Sequence, residues 1–156
     1  MKLTVPARLA AASLAAVALA GCSYVNPITT HKNYSASDGT QLVVGDVSAL
    51  NLIVLTAAEG SPATLIGTLV NDTDEDIAVE VSIDGETSTS LTVEADSTLK
   101  LGPQDGDAEV SGSATAAPGS IVVVGFTANL SEVDSVDVPV LDGTLPEYAD
   151  TLAAIG

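Results

Sequence analysis

From residue 41 onwards, apolar and polar residues alternate along much of the chain. The clearest stretch is IAVEVSID, where Ile77, Val79, Val81 and Ile83 occupy every second position. Successive side chains of a strand point to opposite faces, so this pattern predicts a strand with one buried face and one wet face. Shorter alternating stretches predict further strands in QLVVGDV, SLTVEA and STLKLG.

Two longer segments are apolar on both faces, ALNLIVLTAA (residues 49–58) and SIVVVGFTANL (residues 120–130). They predict central strands, with Phe126 as the one large aromatic side chain that fills the core. ATLIGTLVN predicts another strand. In VDVPVLDG, Pro139 lacks an N–H group and so predicts a strand at a sheet edge or a bulge.

Turn-forming residues separate these strands at short intervals, in EGSP, NDTDED, DGE, GPQDGD and APGS. Short strands punctuated in this way, with almost no helical periodicity, are typical of antiparallel sandwiches. The pattern predicts an all-β, immunoglobulin-like antiparallel β-sandwich of seven or eight strands over residues 41–156.

The C-terminal segment TLPEYADTLAAI departs from the strand pattern. Thr144 and Glu147 have capping-box spacing, and Pro146 suits the first turn of a helix. These features predict a short helix that packs Tyr148, Leu152 and Ile155 against the sandwich, with a loop as the alternative.

The first 21 residues have the features of a secretory signal. Two positive charges, Lys2 and Arg8, precede an apolar stretch that is mostly alanine and is shorter than the about 20 residues needed to span a bilayer. The stretch ends in LAGC, which resembles the bacterial lipobox. The resemblance implies cleavage between Gly21 and Cys22, with lipid attached to Cys22. The alternative is an ordinary signal peptide that leaves Cys22 as a free thiol.

Residues 22–40 are therefore interpreted as a lipidated N-terminus and a flexible tether, because they are polar and lack sustained periodicity. Two or more acyl chains hold a protein on a membrane where one chain does not. The sequence thus predicts a lipoprotein on the extracytoplasmic face of the cell membrane. Since Cys22 is the only cysteine, the domain must fold without a disulfide.

The charge of the chain excludes several classes of ligand. Removing Lys2 and Arg8 with the signal takes the formal net charge from −17 to −19. Nucleic-acid binding requires the opposite sign, so it is excluded. A surface of this charge keeps an exported protein soluble and repels other anionic surfaces.

Two acidic loops are candidate calcium sites, because calcium prefers carboxylate oxygens. The candidate ligands are Asp72, Asp74 and Asp76, beside Glu75, in NDTDED and Asp105, Asp107 and Glu109 in DGDAE. The first loop does not match the EF-hand pattern, because Ile77 and Ile83 occupy the positions that require glycine and a bidentate glutamate. The alternative is a polar turn in which Asn71 and Asp72 supply the hydrogen bonds.

Catalytic chemistry has no support in the sequence. The only histidine, His31, lies in the predicted tether beside Lys32, where nothing positions it as a base or a metal ligand. There is no Gly-x-Ser-x-Gly motif, no phosphate-binding loop and no dinucleotide fingerprint. We therefore expect no catalytic residues and no cofactor.

Three segments resemble small actinobacterial lipoproteins whose domain is similar to the periplasmic copper-chaperone family: GDVSALNLIVL, TLIGTLVNDTDEDIAV and VPVLDGTLPEYADTL. The resemblance implies the same sandwich fold. Family members hold copper through histidine and methionine. Here Met1 leaves with the signal and His31 lies in the tether, so no copper ligand maps onto the domain.

Taken together, these features predict a membrane-anchored, extracytoplasmic lipoprotein that serves as a non-catalytic accessory or protein-binding module, with a protein partner that the sequence does not identify. The alternative is a metal-handling protein, either a weak calcium binder or a derived relative of the copper chaperones.

Overall fold

The structure is a computed structural model that describes residues 37–85, 88–104 and 106–155, together with residues 5, 6 and 13. The chain separates into two units, Met1–Tyr34 and Ser35–Gly156, and the second contains all the strands described here. Within the described part of the chain, no helix is long and apolar enough to span a membrane.

The second unit consists of nine strands followed by one helix. The strands are β1 (Thr40–Val44), β2 (Val47–Thr56), β3 (Pro62–Asn71), β4 (Ile77–Ile83), β5 (Thr89–Val93), β6 (Ser97–Leu101), β7 (Val110–Ser113), β8 (Ile121–Ala128) and β9 (Glu132–Leu141); the helix, α1, is Pro146–Ala154.

The strands form two sheets that share one core, which confirms the predicted all-β sandwich. In the first sheet β2 pairs with β1 and β3, and β3 pairs along its length first with β7 and then with β6. In the second sheet the order is β5, β4, β8, β9, and every pairing is antiparallel. We call these the β2 sheet and the β8 sheet.

Strand β9 links the two sheets. Most of it pairs with β8, but Val140 and Leu141 also pair with β2 in parallel, the one departure from the predicted antiparallel arrangement among the described strands. Pro139 lies directly before this parallel pair. The Val140 N–H donates to the Ser120 carbonyl at 2.9 Å. Because only every second residue of an antiparallel strand bonds to a given neighbour, the residue before Val140 needs no N–H toward β8, and proline is tolerated there. The sequence predicts a sheet edge or a bulge at Pro139; β9 instead lies between β8 and β2, and Pro139 directly precedes the residues that pair with β2.

The core lies between the sheets and is aliphatic apart from one ring. Phe126, on β8, is almost fully buried, and it is the largest of the fully buried side chains. Around it lie the inward residues of β4, Ile77, Val79, Val81 and Ile83, which face one way as the alternation predicts. Removing apolar surface of this kind from water is the main force that holds the two sheets together.

Two predictions about the elements were wrong in detail. The sequence pattern predicts seven or eight strands and gives no sign of the ninth, β7, because VSGS buries only Val110 among its four residues. Segment 120–130 was predicted to be apolar on two buried faces, yet β8 buries one face and leaves Ile121 and Val123 exposed.

The predicted C-terminal helix forms, but not with the predicted cap. Its N-cap is Leu145, which makes no side-chain capping hydrogen bond. Thr144 lies one residue too early, because its N–H donates to Asp142 Oδ1 at 2.9 Å in a turn that precedes the helix. Tyr148, Leu152 and Ile155 are half-buried, and Leu152 lies against Gly143.

Candidate functional site

The first acidic loop, between β3 and β4, is organised around Asn71. This side chain is fully buried, and its Nδ2 donates to the carbonyls of Glu75 (2.8 Å), Glu94 (3.0 Å) and Val93 (3.2 Å). Its Oδ1 accepts from the N–H and the hydroxyl of Thr73, at 3.0 Å and 2.7 Å. Asn71 therefore makes the turn hydrogen bond predicted from the sequence, and it also ties this loop to the end of β5.

Carboxylates of the same loop serve as local hydrogen-bond acceptors or line an open cleft. Asp76 Oδ1 accepts from the Ala95 N–H at 2.9 Å, which is a second link to the β5–β6 turn. Asp46, Asp74 and Glu75 join Asp76 around a cleft of about 440 Å³. The loop thus has the geometry of a structural turn with an acidic surface.

The second acidic loop, between β6 and β7, lies elsewhere along the β2 sheet. Asp107 Oδ2 accepts from the Lys100 N–H at 3.0 Å, and Glu109 Oε1 accepts from the Ser111 hydroxyl at 2.6 Å. Asp105 lies outside the described residues. Strand β6 ends opposite Gly67, in the middle of β3, whereas the first loop follows the end of β3.

The structure therefore does not bring the two acidic loops to a common point. No group of three or more histidine, cysteine, aspartate or glutamate residues within the described ranges has the arrangement of a metal site. The described members of the calcium candidate set, Asp72, Asp74, Asp76, Asp107 and Glu109, are split between two places on the surface.

We expect calcium to leave the thermal stability of the protein unchanged. A ligand that binds only the folded state at a hundred times its Kd stabilises that state by about 2.7 kcal/mol, which shifts the melting temperature of a domain of this size by about 10 °C. The check is a thermal melt with and without millimolar calcium, with Asp74→Asn as the matched variant. A calcium-dependent increase that Asp74→Asn removes would contradict this expectation.

The predicted lipidation and cleavage positions, Gly21 and Cys22, lie outside the described residues, as does His31.

The C-terminal helix contacts the start of the described domain at Asp38. The Tyr148 hydroxyl donates to Asp38 Oδ2 at 3.2 Å. Partial burial and this neighbouring carboxylate raise the pKa of Tyr148, and hydrogen bonds from the Thr144 hydroxyl and N–H lower the pKa of Asp142.

A feature that sequence analysis missed is the outer face of the β8 sheet. Here Ile121 is 64% exposed and Val123 is 47% exposed, although both belong to a segment that the pattern assigns to the core. Pro139 lies opposite Ile121 on β9, and Asp137 lies opposite Val123. We call the surface formed by Ile121, Val123 and Pro139 the β8 face.

Carboxylates border the β8 face. On the β4 side, the Asp84 N–H donates to the Val123 carbonyl at 2.8 Å, and the Asp84 carboxylate accepts from the Val123 N–H at 3.2 Å and from the Thr115 hydroxyl. Asp137 lies on the β9 side. The sequence carries no separate signal for this face, because an outward apolar residue has the same pattern as a residue in a strand that is buried on both faces.

The β8–β9 hairpin tip presents two further apolar side chains, Leu130 and Val133, each 76% exposed. Asn129 and Leu130 both have positive φ, 48° and 60°, and the Ser131 N–H donates to the Ala128 carbonyl at 3.2 Å. These are the features of a type I′ turn, in which glycine would be favoured at the position of Leu130. The turn keeps an apolar side chain in solvent despite this strain.

No protein-family model matches the sequence, and no curated protein is significantly similar to it.

Proposed function

We propose that the protein is a lipid-anchored, extracytoplasmic accessory protein that acts by binding another protein rather than by catalysis. The observation that carries this proposal is the exposure of Ile121, Val123, Leu130 and Val133 on a sandwich whose core is already filled. Ile121 and Val123 lie at one end of the β8–β9 pairing and Leu130 and Val133 at the other, and exposed apolar patches on a folded domain are typical of protein-interaction surfaces.

The N-terminal sequence supports the location in this proposal. LAGC ends an apolar stretch of the length of a secretory signal, and Cys22 is the position that the lipobox pattern assigns to the lipid. A lipid on Cys22 would hold the domain beside the membrane, with the exposed apolar residues available to other proteins there.

Calcium handling is the weaker alternative, because no observation favours it. The described carboxylates of the two acidic loops lie at separate places, and no group of three or more within the described ranges has the arrangement of a metal site. Copper handling would need soft or imidazole ligands, and no histidine, cysteine or methionine is present in residues 37–155.

Site-specific photo-cross-linking in intact cells tests the protein-binding role. A photoreactive amino acid is placed in the full chain at Val123, Leu130 or Val133, which are exposed, and at Thr98 on β6 as the matched exposed polar control. We expect a discrete protein adduct from at least one of the three apolar positions and none from Thr98. Adducts from no position, or the same adducts from all four, would contradict the proposal.

A further inference from the structure

On the outward face of the β8 sheet, strand β8 presents large aliphatic side chains where its neighbour β4 presents polar or small ones. On β4 the outward residues are Ala78, Glu80 and Ser82, and in the middle of β9 they are Ser135 and Asp137; only at the two ends of its pairing with β8 does β9 present apolar residues, Pro139 and Val133. On β8 the corresponding residues begin with Ile121 and Val123. A strand with one wet face needs polar residues there for solubility, so the two aliphatic side chains are not explained by folding.

The core does not use these two side chains. Strand β8 contributes Val122, Val124, Phe126 and Ala128 to the core through its other face, and all four are buried. The sandwich is therefore complete without Ile121 and Val123, which contribute apolar surface to solvent instead.

Small residues keep the middle of the same face flat. Gly125 lies next to Ser82, and a Cβ atom on Gly125 would be only 2.9 Å from Ser82 Oγ. Ser135 lies opposite Gly125 on β9. A partner can therefore approach the backbone of the sheet closely beside the two aliphatic side chains.

The charge around the β8 face identifies the chemistry of the partner. Asp84 and Asp137 border Val123, and Glu80 lies further along the sheet, opposite Thr127. The only positively charged side chain in the described part of the chain is Lys100, which lies on β6 in the other sheet. A second copy would bring like charges together, whereas a basic partner would neutralise them, and like-charge pairs across an interface are unfavourable.

We infer that the β8 face is the docking surface for a basic protein partner, which places aliphatic side chains over Ile121 and Val123 and lysine or arginine beside Asp84 and Asp137. This inference rests on the proposed function and specifies its surface and its class of partner. The apolar contact supplies the area that is removed from water, and the carboxylates select against acidic surfaces.

A peptide titration of the full chain in detergent micelles, with methyl-labelled isoleucine and valine, tests the inference. The probe is an eight-residue peptide that alternates lysine and valine. The control peptides alternate glutamate with valine, or lysine with serine. We expect saturable methyl shifts centred on Ile121 and Val123 with the probe, and at least tenfold weaker binding of both controls. The affinity for the probe should fall as salt is added.

Paired variants keep this test specific to the surface. The double substitution Ile121→Thr and Val123→Thr keeps β-branched residues in the strand, and we expect it to weaken probe binding at least tenfold. Val43→Thr, on β1 in the other sheet, removes a similar exposed aliphatic group and should leave binding unchanged. Amide spectra of both variants report whether the fold is retained.

Several results would overturn the inference. Equal binding of the glutamate–valine peptide would show that charge does not select the partner. Methyl shifts centred away from β8, or no saturable binding, would show that the β8 face is not the docking surface. Shifts of Ile121 and Val123 that grow with protein concentration alone would make the occupant a second copy. The proposed function would survive these results if cross-linking from Leu130 or Val133 still gave protein adducts, and it would fail separately if no position did.

Discussion

Replacing Asn71 with alanine is expected to destabilise the domain by about 3 kcal/mol, because a buried carbonyl that loses its donor costs about 1–3 kcal/mol and two part-buried carbonyls lose the same donor. The alanine variant leaves the carbonyls of Glu75, Val93 and Glu94 without the Nδ2 donor that now reaches all three. It also unties the β3–β4 loop from the end of β5. Urea denaturation measures the loss.

Two further variants show whether the donor is the cause. Asn71→Asp keeps the shape and the acceptor but puts a carboxylate among carbonyl oxygens, which raises its pKa in the folded state. Its destabilisation should therefore be largest at neutral pH and should shrink as the pH falls toward about 4, the usual pKa of aspartate. Thr73→Ala removes one hydroxyl from the same network and should cost about 1 kcal/mol. An Asn71→Ala loss no larger than that of Thr73→Ala would contradict this account.

Phe126→Ala is the second change with a large expected effect. It removes the largest of the fully buried side chains, from the strand that lies between β4 and β9 and faces the β2 sheet across the core, and such truncations cost about 3–5 kcal/mol. Much of the loss comes from the cavity, since inward neighbours such as Val81 and Val124 are fixed by the sheet ladders and relax only in part.

The matched changes for Phe126 are Phe126→Leu and Val133→Ala. Leucine keeps most of the apolar volume, so its loss should be clearly smaller than that of alanine. Val133 is largely exposed on β9, and its truncation should change stability by no more than about 0.5 kcal/mol. Similar losses for Phe126→Ala and Val133→Ala in urea denaturation would mean that the core is not centred on Phe126.

Strand assignments followed from the sequence wherever one face is buried and the other is wet. Strand β4 coincides with the predicted alternation, because burial of every second residue is the physical cause of that pattern. Strand β7 did not follow, because its pairing with β3 supplies backbone hydrogen bonds while only Val110 enters the core. Backbone pairing between distant segments leaves no periodic trace in such a short strand.

The candidate surface is harder to predict from the sequence than the fold. An apolar residue at an outward position looks the same in the sequence as one in a doubly buried strand, so Ile121 and Val123 were assigned to the core. Their exposure depends on what covers each face of β8, which is a property of the tertiary structure. In the same way, the turn role of Asn71 was predicted, but its contacts with Val93 and Glu94 required β5 to be placed.

The proposed function depends most on the anchor, because it places the domain at a membrane through Cys22. The direct measurement is the mass of the N-terminal peptide of the mature protein, isolated from membranes of cells that make the full chain, with Cys22→Ser as the control. We expect a peptide that begins at Cys22 and carries a diacylglyceryl group and a further acyl chain or free amine, and we expect the variant to lose both the lipid and the cleavage. An unmodified Cys22 thiol, or a mature N-terminus at any other residue, would contradict the anchored role.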